Sequence, residues 1–69
     1  MKNEILWLQY FVFDKTGNHI LEASAIPCAD EHELHDTTNL MVCNYNSNPE
    51  FKDLQLTISW GNKILFSSR

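Results

Sequence analysis

The sequence predicts an α+β domain of order ββαββ: a four-stranded sheet with one helix packed on one of its faces. Three observations carry that expectation. Residues 5–13 (Ile-Leu-Trp-Leu-Gln-Tyr-Phe-Val-Phe) form an apolar run rich in β-branched and aromatic side chains, without Gly or Pro, which is strand composition. Residues 53–60 alternate apolar and polar with period two, as a half-buried antiparallel strand does. Between them, Leu34, Thr38, Met41, Val42 and Tyr45 recur at helical spacing behind an acidic start.

The elements follow in order. Ile5–Phe13 is the first strand. Successive side chains point to opposite faces, so Ile5, Trp7, Phe11 and Phe13 share one side and Leu6, Leu8, Tyr10 and Val12 the other. Both rows are apolar, which suits an interior position. Asp14-Lys15-Thr16-Gly17-Asn18 is a turn, since Gly and Asn accept the positive φ of tight hairpins. The second strand spans His19–Ile26. Its small residues Ala23 and Ala25 suit the close approach of a helix, and Pro27, which has no N–H to donate, is expected to end it.

The helix is expected from about Ala29 to Tyr45. Asp30 and Glu33 have the N-cap and N3 spacing of a capping box, and acids in the first turns suit the positive end of the helix dipole. Thr37-Thr38-Asn39 are mediocre helix formers, so 38–45 as a further strand is the alternative. Asn44–Pro49 reads as a loop by composition. The third strand is Asp53–Trp60, with Leu54, Leu56, Ile58 and Trp60 inward; Gly61-Asn62 is a two-residue hairpin turn. Lys63–Ser68 is the last strand.

A hairpin, a helix and a second hairpin can be joined by a right-handed crossover that sets the first and last strands side by side in parallel. That arrangement is a mixed, β-grasp-like sheet with the first strand at its centre. The chain of 69 residues reads as one domain. At this length a single core is marginal, and oligomerisation, disulfides or a metal commonly supply the missing stability.

Composition narrows the function. Net charge is −4, and the stretch from Glu22 to Asp53 holds Glu22, Asp30, Glu31, Glu33, Asp36, Glu50 and Asp53 against Lys52 alone. Without a basic patch to neutralise phosphates, direct nucleic-acid binding is not expected, nor is an anionic membrane surface; a basic protein partner suits the charge. No apolar run nears the ~20 residues of a membrane-spanning helix. Lys2, the run 5–13 and Ala23-Ser24-Ala25 mimic a signal peptide, but the polar stretch 14–22 separates the last two. Two cysteines are too few for a disulfide framework, and a cytoplasmic location is the expectation.

Chemistry-bearing residues are sparse. Cys28, His32 and His35 at i, i+4 and i+7, continued by Asn39 and Cys43, share one helix face if the helix reaches back to Cys28. Cys28 and Cys43 would then stand about 22 Å apart, too far to share an ion bound at about 2.0–2.3 Å. No metal or other cofactor is expected, and a Cys/His regulator is the minor reading. Cys43 with His35 or His32, and Ser59 with His19, lack any surrounding nucleophile signature. The chain is also short for a pocket of several hundred Å³, so no enzyme is expected. The acidic run Asp30, Glu31, Glu33 and Asp36 reads as a solvated helix start or as a landing surface for a basic partner.

The strongest functional signal is the open side of the sheet. A single helix covers one face, yet the first strand has no polar row to show to water. Uncovered apolar patches mark interaction sites, and Trp, Tyr and Phe are enriched in interface cores. The expected function is a small acidic protein-binding module, self-associating as a homodimer, that occupies a partner's surface. An inhibitor or adaptor, such as a phage or mobile element carries, has this character. A structural subunit of a homo-oligomer is the alternative. The candidate binding residues are Trp7, Tyr10, Phe11, Phe13, Asp30, Glu31, Glu33 and Asp36.

Overall fold

The computed structural model describes residues 4–68. Strand β1 is Leu6–Phe13, β2 Ile20–Cys28, α1 Glu31–Ser47, β3 Gln55–Trp60 and β4 Lys63–Ser67, with a short 3₁₀ turn, Pro49–Phe51, ahead of β3. The order is ββαββ, and α1 packs on one face of a four-stranded sheet.

The strand pairing departs from the expected mixed sheet. The spatial order is β2-β1-β3-β4, and every neighbouring pair is antiparallel. β1 is central, but its second neighbour is β3 rather than β4. The reason lies in direction and length. With α1 carrying the chain back along the sheet, β3 runs the same way as β2 and so opposite to β1. It therefore offers β1 a six-residue antiparallel ladder from Leu8↔Trp60 to Phe13↔Gln55. The alternative was a five-residue β4 in a parallel ladder, which is weaker per residue.

Both hairpins close as the turn residues require. Asp14 N donates to His19 O at 3.0 Å and Gly17 N to Asp14 O at 2.9 Å. The Asp14 carboxylate collects Thr16 N, Thr16 Oγ1, Gly17 N and Asn18 N on a single oxygen, and Gly17 takes a positive φ of 79°. Gly61 has φ 61° at the first central position between paired Trp60 and Lys63, where II′ hairpin turns place glycine.

β2 does not stop at Pro27. It runs on to Cys28, with Trp7↔Pro27 and Leu6↔Cys28 in register. β2 is an edge strand, where a missing N–H costs no ladder bond. The helix therefore does not reach back to Cys28, which does not share a helix face with His32 and His35: it is a strand residue, 1% exposed, inside the core.

α1 begins two residues later than expected and ends two later, absorbing most of the anticipated loop. Asp30 is the N-cap and accepts from Glu33 N at 2.9 Å, while Glu33 Oε1 accepts from Ala29 N at 2.7 Å. The capping box thus closes one residue further back than the standard pattern. Leu34 and Thr38 are buried against the sheet, and Met41, Val42 and Tyr45 continue the stripe. Thr38 Oγ1 donates to Leu34 O at 2.9 Å, so its burial leaves no unmet hydroxyl. β3 starts at Gln55 rather than Asp53, because residues 49–51 coil into the 3₁₀ turn and Leu54 N donates to Phe51 O.

Among the described residues the buried apolar core is small: Leu8, Cys28, Leu34, Leu56 and Ile58. It sits between α1 and the face of the sheet that carries Leu6, Leu8, Tyr10 and Val12.

Candidate functional site

The register fixes what the other face presents. Along β1, Trp7, Gln9, Phe11 and Phe13 stand opposite Pro27, Ala25, Ala23 and Ile20 of β2. Gln9, Phe11 and Phe13 stand opposite Ser59, Thr57 and Gln55 of β3, and Ile64 of β4 pairs with Ser59. α1 lies on the opposite side, so among the described residues no element covers this face. Trp7 is 51% exposed, Ile20 58% and Ile64 64%. The Phe11 and Phe13 rings, 6.5 Å apart, are half-buried. No charged side chain belongs to these register positions; the polar groups are the amides of Gln9 and Gln55 and the hydroxyls of Thr57, Ser59 and Ser67.

One expectation changes here: Ala23 and Ala25 lie on the open face, not under the helix. On β4, Leu65 packs against the core and Ile64 points outward. The irregularity between Ile58 and Ser59 in the β3–β4 ladder sets this arrangement, because an inserted residue reverses the alternation.

The eight candidate binding residues fall into separate groups. Trp7, Phe11 and Phe13 share the open face. Tyr10 lies on the helix side, packed against the core, with its hydroxyl donating to Glu22 Oε2 at 2.8 Å. That hydrogen bond, which Glu22's charge reinforces, raises the phenol's pKa above its ordinary value. Asp30, Glu31, Glu33 and Asp36 gather at the start of α1, again on the helix side. Asp30 and Glu33 are engaged in capping, and Asp36 Oδ2 lies 3.4 Å from His32 Nε2. Trp7, Phe11 and Phe13 are therefore on the opposite side of the sheet from the acidic residues.

The remaining chemistry disperses. Cys28 is buried in β2 and Cys43 exposed on α1, and both are free thiols. Among the described residues, no three His, Cys, Asp or Glu side chains converge to hold a metal ion. Ser59 faces Gln9 in mid-sheet, whereas His19 closes the first turn against Asp14 at 3.1 Å, roughly 15 Å away along β1. No helix among the described residues is long and apolar enough to cross a membrane.

One feature had no sequence signal. An open groove of about 260 Å³ runs between the C-terminal half of α1 and the helix-side face of the sheet, with Tyr10, Glu22, Tyr45 and Phe51 on its walls. Its lining comes from five separate segments, β1, β2, α1, the 3₁₀ turn and β3, so no local spacing marks it. No protein-family model matches the chain, and neither curated proteins nor solved structures yield a match.

Proposed function

We propose that this chain is a small protein-binding module that acts by contact, and that its open sheet face is occupied by a second copy of itself. The observation that carries the reading is the uncharged apolar row Trp7, Phe11, Phe13, Ile20 and Ile64 on the face that α1 does not cover, with Trp7, Ile20 and Ile64 more than half exposed.

Charge, area and surface each favour a second copy. Two chains of net charge −4 repel, but the acids of α1 are on the far side and the open face contributes none. Placing face on face therefore keeps the like charges apart. Four strands at ~4.8 Å spacing and up to ~26 Å long give roughly 400–500 Å² a side in flat projection. Two such faces, with side-chain relief added, reach the ~1,000 Å² that specific interfaces require. The chain exposes 5041 Å² for 8.0 kDa, against about 4,450 Å² for a typical folded monomer of that mass.

A dimer would also supply the burial that a five-residue core lacks. As a two-fold pair it would present two copies of the acidic helix surface outward, a suitable arrangement for an inhibitor or adaptor of a larger protein. The exposed free thiol of Cys43 favours a reducing compartment such as the cytoplasm.

Light scattering tests the reading. The wild type should have a dimer's mass at micromolar concentration, and Trp7→Glu should be a monomer with unchanged circular dichroism. A wild-type monomer at high concentration, or a Trp7→Glu dimer, sinks the proposal.

A further inference from the structure

The groove on the helix side has a composition suited to one kind of guest. Its floor is apolar: Val12 and Leu56 from the sheet, with Met41 from α1 alongside. Aromatic rings stand on both walls. Tyr45 stacks on Phe51 at 6.3 Å and 18° and meets Phe66 edge-on; its hydroxyl donates to Leu54 O. Across the groove, Tyr10 is held by its hydrogen bond to Glu22. Both hydroxyls thus have internal acceptors, and the rings are fixed in place. Glu22 is the one charged residue of the lining among the described residues, and its carboxylate keeps acceptor capacity beyond the Tyr10 bond.

We infer that this groove receives an arginine side chain from a basic segment of a protein partner. The methylene stem lies along Val12 and Met41, and the guanidinium reaches the Glu22 carboxylate between aromatic walls. Arginine suits the site better than lysine because its planar head both stacks on rings and forks onto a carboxylate. The volume, about 260 Å³, falls below the 300–1,000 Å³ usual for small-molecule sites and is ample for a single long side chain. Charge favours the same guest. Among the described residues no Lys or Arg lines the groove, and the neighbouring helix carries Glu31, Glu33 and Asp36 with no Lys or Arg of its own. That field draws cations to this side. The site lies on the face away from the proposed dimer contact and does not depend on it.

The test uses an N-acetylated, C-amidated Gly-Arg-Gly tripeptide, followed by amide NMR on the full chain. Its citrulline counterpart, of the same shape but uncharged, is the control. The arginine peptide should give saturable shifts at Glu22, Asn44 and Phe51. The citrulline peptide and the E22Q variant should each bind roughly tenfold more weakly, as loss of a charged hydrogen-bond partner implies. Glu22→Gln keeps an acceptor for Tyr10 at an exposed edge position, so the fold should survive, and circular dichroism checks it. The inference is overturned by the absence of saturable shifts, by equal binding of the citrulline peptide, or by binding to a folded E22Q at full strength. Tighter binding of a Gly-Lys-Gly peptide, or shifts gathered around Trp7 and Phe11, overturns it too.

Discussion

The Tyr10 hydroxyl donates to Glu22 Oε2 at 2.8 Å, tying the central strand to the edge strand on the helix side of the sheet. The two residues are diagonal neighbours, since Tyr10 pairs with Ser24 and Val12 with Glu22. The anionic acceptor holds the phenolic proton, and Tyr10 titrates above the ordinary 10.0. Ultraviolet difference titration should resolve a late-ionising tyrosine in a Tyr45→Phe background. Glu22→Gln should bring it down. In sign, a raised folded value means stability that is fully present below the ordinary tyrosine range and lost as pH rises through the folded value. An unchanged Tyr10 titration in the variant would rule out Glu22 as the cause.

Acidic substitution on the two faces of β1 should have opposite consequences. Trp7 is half exposed on the open face, so Trp7→Glu should stay folded and lose only self-association. Tyr10 packs against the core, so Tyr10→Glu places a carboxylate beside Glu22 and apolar neighbours and should destabilise the fold by several kcal/mol. Denaturant unfolding of both variants checks the contrast, and similar midpoints for the two would contradict it.

The first turn should be an acid-labile point. Thr16's hydrogen bond, joined by those from His19, Asn18 N and Gly17 N, lowers the Asp14 pKa from 3.8 to about 2. A depressed value means stability present above the ordinary carboxylate pKa and lost as pH falls through about 2. Unfolding midpoints measured across that interval should fall more steeply for the wild type than for Asp14→Asn, which cannot ionise.

Two leucines of α1 should respond differently to truncation. Leu34 is fully buried and Leu40 is 67% exposed. Leu34→Ala should cost about 2–5 kcal/mol, and Leu40→Ala no more than about 0.5 kcal/mol. Chemical denaturation decides, and a large loss for Leu40→Ala would reveal that an interface covers the outer face of the helix.

The two thiols should separate kinetically. Cys43 is exposed and Cys28 is in the core. A thiol reagent should modify Cys43 promptly in the native protein and Cys28 only on opening of the fold. Prompt modification of both would show that β2 does not hold its carboxyl-terminal end against the core.

Local chemistry made most elements legible in advance. The Asp30/Glu33 cap, the Leu34-Thr38-Met41-Tyr45 stripe and the alternation of β3 are each short-range patterns with one low-energy solution. Gly61 between two strand-forming runs left little choice but a hairpin. Boundaries slipped where competing local devices met: the chain could continue through Pro27 only because β2 is an edge, and the turn after the 3₁₀ helix, closed by Leu54 N on Phe51 O, took residues 53–54 from the start of β3.

By itself, then, the sequence determined the order ββαββ, the two apolar rows of β1 and the acidity of the helix, because these depend on neighbours within a few residues. Only the tertiary structure decided that β3 rather than β4 lies beside β1, that Trp7 and Phe11 face outward while Tyr10 faces α1, that Ile64 points outward while Leu65 packs inward, and that Glu22, Tyr10, Tyr45 and Phe51 frame one groove. The physical reason is periodicity. A strand with two apolar faces is the same pattern under a one-residue shift, and the choice between them falls to the partners across the sheet and to the helix that can cover only one side.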